Sequence, residues 1–149
     1  MSCCLYGKIT YLLGGNGIIL NTEVKESPYY FLAILNSSIA SFFISKISIY
    51  LSGGFYASNK QFASLIPVKP IDFSNIKEVE KHDKIVETVK DLISLKQSEK
   101  TLISEKDTQA RKVDALGSLI NRMIYELYDV VLPEEIKLVE NSVDLTNIE

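Results

Sequence analysis

The sequence predicts an α+β fold: a small mixed β-sheet domain with one long apolar helix, followed by an antiparallel helical hairpin and a short terminal helix. The prediction depends on an apolar stripe of helical spacing after Pro28, short β-favouring runs on either side of it, and apolar residues spaced by three and four over 79–128. Prolines at 67 and 70 end regular structure between these regions. We therefore divide the chain into a mixed α/β part, residues 1–72, and a helical pairing or spacer part, residues 73–149.

A β-hairpin is expected near the start of the chain. The runs 9–13 and 18–22 are rich in β-favouring residues, and the Asn16-Gly17 pair in the linker between them is typical of a tight turn. The glycines of this linker also suggest a nucleotide-binding loop, but Leu20 stands where the third glycine of that motif belongs. The hairpin is the better interpretation.

The longest apolar stretch predicts one buried helix from about residue 28 to residue 48. Ser27 is a candidate N-cap, and Pro28 suits the first helical position. The predicted buried stripe consists of Tyr30, Ile34, Leu35, Ile39, Phe42 and Phe43. Residues 27–45 carry no charge and are long enough to cross a bilayer, but Asn36 and several serines interrupt them, so we expect no membrane span.

The remaining elements follow from glycines, prolines and apolar spacing. Gly53-Gly54 permits a turn, and residues 62–68 are expected to return to the sheet. Two antiparallel helices are predicted over roughly 80–104 and 108–129. A short terminal helix is expected to begin at Pro133 and to end near Asn141.

Charge is unevenly distributed along the chain. Residues 1–71 contain five lysines and two glutamates, whereas residues 72–149 contain 11 basic and 17 acidic side chains. The first half can therefore approach a polyanion, and the second half is suited to a protein partner. The adjacent Cys3 and Cys4 fit neither an ordinary disulfide nor a zinc site, and the first residues lack a secretory pattern, so we expect a cytoplasmic protein.

No catalytic residue and no metal ligand is assigned. The single histidine, His82, precedes Asp83 in a charged stretch, where we expect a solvated surface position rather than a general base. Cys3 and Cys4, the only thiols, have no matched base and lie in the terminal residues.

The polar loop after Gly53-Gly54 is the best candidate site. Lys60 can contact phosphate, and the side-chain amides of Asn59 and Gln61 have the paired donor and acceptor that suit adenine in a major groove. Tyr56 can stack on a base or pack in the core. The competing interpretation is a purely structural turn. Further candidates for DNA contact are Ser58, Lys46, Lys69, Lys8 and Asn16.

Four blocks of the sequence carry a resemblance to a known family. They are YYFLAILNSSIASFF, SGGFYASNKQFASLIPV, KIVETVKDLISLKQ and INRMIYELYDVVLPEEIKLVE, in that order along the chain. Together they resemble the TaqI-like C-terminal specificity domain of adenine-N6 DNA methyltransferases and of fused type II restriction-modification enzymes. The resemblance covers most of residues 6–140. One departure is Asp129, which stands where the family has a glycine after its YELY block.

The resemblance implies a non-catalytic target-recognition domain that reads double-stranded DNA near an adenine. The methyltransferase or nuclease domain of the same parent enzyme would bind S-adenosylmethionine and methylate that adenine. This chain lacks an Asn-Pro-Pro-Tyr or Asp-Pro-Pro-Tyr motif, so we expect it to hold no cofactor and neither to methylate nor to cleave by itself. Three alternatives remain: a specificity subunit of a type I restriction system, a protein-interaction module using the paired helices, and a membrane-anchored coiled coil.

Overall fold

The computed structural model describes residues 11–13, 16–51, 55–57, 60–98 and 103–144, and the protein is mostly helical. Its elements in chain order are β1 (Tyr11–Leu13), β2 (Asn16–Ile18), α1 (Pro28–Leu35), α2 (Ser38–Ile47), β3 (Tyr50–Leu51), β4 (Phe55–Tyr56), α3 (Lys60–Ala63), α4 (Ile76–Gln97), α5 (Ile103–Leu127) and α6 (Pro133–Asp144). The predicted α+β class, with a small mixed sheet, is therefore wrong.

Extended backbone in the described residues is limited to two short antiparallel pairs. Strands β1 and β2 pair antiparallel, but Asn16 lies opposite Leu13 within β2, so the predicted Asn-Gly turn is wrong. Strand β3 pairs with β4. Residues 62–68, expected to rejoin a sheet, instead form the end of α3 and the turn and irregular chain after it. Phe62 and Ile66 are both buried against the helices, whereas Ser64 between them is exposed. In a strand all three would share one face, so this burial pattern suits a helical turn.

The predicted long apolar helix is two helices. Its start is as expected, because the Ser27 hydroxyl accepts a hydrogen bond from the Tyr29 amide and Pro28 is the first helical residue. The helix stops after Leu35, where the Asn36 side chain donates to the Leu32 carbonyl. Ser37 then caps α2 by accepting from the Ala40 amide at 3.2 Å.

Helices α4 and α5 pack against each other, as the repeat predicted, and α1 packs against both. Helix α4 begins four residues before the expected position because the Asn75 side chain caps it by accepting from the Lys77 amide. The core contains residues from both sides of the division at 72/73: Ile34 is 1% exposed, Ile85 1% and Ile124 0%. The division itself remains a prediction.

His82 is buried, so the predicted surface position is wrong. It is 5% exposed, and its ring lies against those of Tyr30 and Phe73, with centroid distances of 5.2 and 5.6 Å. The sequence contained a signal for this, because His82 precedes Ile85, Val86 and Val89 by three, four and seven residues and shares their buried helix face.

Helix α5 ends at a residue in the left-handed conformation. Asp129 has a φ of 57°, a left-handed conformation, and the Val130 amide donates back to the Tyr125 carbonyl at 2.9 Å. This is the Schellman arrangement that commonly ends a helix. Helix α6 follows and packs against α2.

Within the part of the chain that the structure describes, no single helix has the length and apolarity needed to cross a membrane. Helices α1 and α2 reach that length and composition only as a pair, and they are bent by 59° at the break between them.

Candidate nucleic-acid interface

Lys46 lies in the last turn of α2 and is exposed. Its ammonium is 5.1 Å from the centroid of the Phe42 ring, one turn earlier on the same helix. A cation near the C-terminal end of a helix is favoured by the helix dipole, and the aromatic ring adds a modest attraction. The charge is therefore held at the surface at the point where α2 gives way to the β3–β4 pair.

The β3–β4 pair is tied directly to the end of α2. The Ala57 amide donates to the Ile49 carbonyl at 3.0 Å, and the Ser48 hydroxyl, at the C-cap of α2, donates to the Ala57 carbonyl. Tyr56 stands opposite Tyr50 in the pairing and is half-buried against the hydrophobic core. Its ring therefore has a packing role, which leaves only part of its surface for contact with a ligand.

Helix α3 presents two of the predicted contact residues. Lys60 and Gln61 are exposed, whereas the next residue, Phe62, is 7% exposed and belongs to the core. Helix α3 packs against α2. Burial of Phe62 thus fixes the single turn against α2 and turns the two polar side chains toward solvent.

Four of the predicted residues lie in the last turn of α2 or on the elements that follow it along the chain, of which β4 is tied to the end of α2 and α3 packs against α2. We call this set the α2-end surface, and it comprises Lys46, Tyr56, Lys60 and Gln61. Three of the remaining candidates, Lys8, Ser58 and Asn59, lie outside the described residues. Asn16 is described only as the first residue of β2, opposite Leu13.

Lys69 is different, because its side chain is used within the fold. Its ammonium donates to the Leu127 carbonyl at 2.9 Å and lies 4.0 Å from the Asp129 carboxylate. A lysine that binds the last carbonyls of a helix acts as a C-terminal cap. Of the candidate lysines that the structure describes, Lys69 is the one with an evident structural role.

Two tyrosine hydroxyls bind the backbone of the segment that follows α3. Tyr30 donates to the Lys69 carbonyl at 2.7 Å, and Tyr128 donates to the Pro67 carbonyl at 2.5 Å. Burial is the main reason that the pKa of each tyrosine is raised, with the Lys69 amide partly opposing this at Tyr128. Both hydroxyls therefore remain protonated donors at neutral pH.

The electrostatics of this region favour an anionic ligand. Residues 27–71 contain no aspartate or glutamate but three lysines, at positions 46, 60 and 69. A local excess of cationic side chains attracts a polyanion such as the DNA backbone. Acidic side chains reach this region from later in the chain: Asp129 lies beside Lys69, and α6, with Glu134 and Glu135 in its first turn, packs against α2.

Comparisons with protein-family models, curated proteins and solved structures give no match for this chain. The case for a function therefore depends on the residues described above and on the sequence resemblance.

Proposed function

We propose that the chain is the DNA target-recognition domain of a restriction-modification enzyme, with the α2-end surface as part of its DNA contact. The observation that carries the proposal is that Lys46 and Lys60 are exposed on neighbouring elements within the stretch 27–71, which has no acidic residue. Lysines at such a surface bind phosphates without regard to sequence.

Base recognition would come from a polar side chain next to Lys60. The exposed amide of Gln61 offers both a donor and an acceptor, and a side-chain amide can pair with the N6 and N7 positions of adenine in the major groove. The neighbouring Lys60 would set the register by contacting phosphate. Helix α3 would thus contact both a phosphate, through Lys60, and a base, through Gln61.

The conformation of Asp129 supports the resemblance to the TaqI-like specificity domain. That family has a glycine at the corresponding position, and Asp129 adopts φ 57°, a region that glycine enters freely. The turn after the YELY block can therefore form in this chain despite the substitution. Aspartate is among the few other residues that tolerate this conformation.

In this proposal, a separate domain of the parent enzyme performs the chemistry. It would bind S-adenosylmethionine, take the target adenine out of the duplex and methylate it. The present chain would contribute only the contacts that select the site, and its own partners would be double-stranded DNA and that catalytic domain.

The test is a fluorescence-anisotropy titration of labelled duplexes of mixed sequence, repeated over a salt series. We expect weak binding. The logarithm of the association constant should fall linearly with the logarithm of salt concentration, because each phosphate contact releases counterions. Lys60→Ala and Lys46→Ala should each weaken binding to all sequences and reduce the salt slope by about one. Gln61→Ala should leave the salt slope unchanged. It should reduce the difference in affinity between a preferred duplex and a random one.

Lys106→Ala is the matched control, because Lys106 is an equally exposed lysine on α5 in the acidic half of the chain. Its binding should equal that of the unaltered protein. Equal losses in Lys106→Ala and Lys60→Ala would remove the α2-end surface from the interface. Absence of any duplex binding at low salt, together with a stable dimer in solution, would favour the protein-interaction module instead.

A further inference from the structure

His82 connects two parts of the fold that lie far apart in sequence. Its Nε2 accepts a hydrogen bond at 3.1 Å from the backbone amide of Ser27, the N-cap residue of α1. Its Nδ1 lies 2.8 Å from the Asp83 carboxylate. An acceptor at Nε2 and a carboxylate at Nδ1 require the neutral imidazole with its proton on Nδ1.

We propose that His82 is a pH-sensitive latch that fastens the start of α1 to α4. Protonation puts a hydrogen on Nε2, which then faces the Ser27 N–H, so a donor meets a donor and the bond is lost. The ring is also 5% exposed and sits at the N-terminal end of α1, where the helix dipole disfavours a cation. Histidine is the side chain whose charge ordinarily changes between pH 5 and 8.

The titratable groups that contact the His82 ring are Asp83, at Nδ1, and Tyr30 of α1, against its face. Glu26, before α1, and Glu78 of α4 lie near Tyr30, and Glu78 also binds the amide of Asp72 in the segment before α4. The carboxylates attract an imidazolium, but Asp83 is 69% exposed and its attraction is screened by water. The loss of the Ser27 hydrogen bond follows from protonation of Nε2 itself.

We expect the loss of the His82–Ser27 hydrogen bond to loosen the segment before α4 as well. The Glu26 carboxylate accepts from the Ile71 amide at 3.0 Å, and the Glu78 carboxylate accepts from the Asp72 amide at 2.9 Å. Phe73 lies against the ring of His82 itself. Because residues 26–27 and 71–73 are held together through these contacts, we expect both to loosen when His82 is charged.

The experiment is hydrogen exchange of the whole chain at pH 7.5 and pH 5.5, corrected for the intrinsic exchange rate at each pH. The expected result is a loss of amide protection at the lower pH in residues 27–31 and 71–75, with residues 120–124 in the core unchanged. His82→Gln is the matched variant, because its amide oxygen can accept from the Ser27 amide but cannot titrate. Its protection should not change between the two pH values.

Two outcomes would overturn the latch: unchanged protection in the unaltered protein, or an equal loss in His82→Gln. If His82→Gln does not fold, Ser27→Pro removes the donor, since the Ser27 φ of −65° is already that of proline. It also removes the N-cap hydroxyl, so it is compared with Ser27→Ala, which lacks the hydroxyl but keeps the amide. The pH response should then disappear in Ser27→Pro but not in Ser27→Ala. The imidazole nitrogen spectrum of the unaltered protein is an independent test, because a proton on Nε2 at pH 7.5 would also refute the latch.

Discussion

Two buried tyrosine hydroxyls of this protein differ in their hydrogen bonding. The Tyr30 hydroxyl donates to the Lys69 carbonyl at 2.7 Å, and the residue is 0% exposed. The Tyr125 hydroxyl is equally inaccessible and makes no hydrogen bond of good geometry, although the Ser38 and Glu140 side chains lie close enough to affect its pKa. A satisfied hydroxyl stabilises the fold, whereas a buried unsatisfied one costs free energy.

We therefore expect different results from removing the two hydroxyls. Tyr30→Phe leaves the Lys69 carbonyl without its donor and should lower the free energy of unfolding by about 1–3 kcal/mol. Tyr125→Phe removes a buried polar atom that makes no well-formed hydrogen bond and should cost much less, or nothing. Urea denaturation followed by circular dichroism measures both. Equal destabilisation by the two variants would contradict the assigned role of the Tyr30 hydroxyl.

Tyr30 also predicts how stability depends on pH in alkaline solution. Burial, followed by the negative charges of Tyr128, Glu26 and Glu78, raises the pKa of Tyr30 above its ordinary value of 10.0. The unfolded chain therefore loses this proton more readily than the folded one, so the contribution of Tyr30 is complete below about pH 10 and declines above it. The free energy of unfolding of Tyr30→Phe should fall less steeply between about pH 9 and 11. Parallel curves for the two proteins would contradict this.

The C-terminal end of α5 contains a non-glycine residue in the left-handed conformation. Asp129 takes the left-handed conformation at φ 57°, and its ion pair with Lys69 spans 4.0 Å with 88% of the aspartate side chain exposed. Such an exposed pair contributes little. The conformational cost of a side chain at this position is therefore the dominant effect.

Asp129→Gly should raise the free energy of unfolding by about 1 kcal/mol, because glycine has no Cβ penalty in the left-handed region. Asp129→Ala should be less stable than the unaltered protein, since alanine has the penalty without the local hydrogen bonding that helps aspartate. Thermal or urea unfolding gives the order. If alanine were at least as stable as glycine here, the left-handed conformation would not govern this helix end.

Local signals in the sequence located the start of α1 but neither the start of α4 nor the break between α1 and α2. Ser27-Pro28 acts through neighbouring amides and could be recognised without knowledge of the fold, whereas the same role of Asn75 was missed. The apolar stripe continued through Asn36 and Ser37 and obscured the second cap. The Ser38 amide is bound by the Asn121 side chain at 2.9 Å, a contact across 83 residues that periodicity cannot reveal.

Some features of the candidate site could likewise be predicted from local sequence, and others could not. Exposure of Lys60 and Gln61 was predictable because they precede an apolar run on a short polar segment. Lys69 could not be judged, because the carbonyl that it caps belongs to Leu127, 58 residues further on. Residues 62–68 favoured a strand by composition, but packing of Phe62 and Ile66 against the helices decided their conformation.

At the scale of the whole molecule, the two predicted parts share one core. Helix α1 of the first part packs against α4 and α5 of the second, and Ile34, Ile85 and Ile124 are each almost fully buried in the same cluster. Separating the parts would expose these side chains, at a cost of roughly 1.5–3 kcal/mol for each one that becomes fully exposed. Neither part is therefore expected to fold alone.

This predicts that residues 1–72 and 73–149, produced separately, have little cooperative structure, whereas the full chain unfolds in one transition. Because the buried faces are complementary, an equimolar mixture of the two pieces should recover helical circular dichroism that the sum of their separate spectra lacks. Ile124→Asp in the second piece is the control, since a charge at the centre of the shared core should prevent this recovery. Cooperative melting of residues 73–149 alone would instead mean that the paired helices are an independent unit, onto which α1 and α2 dock as a separate recognition module.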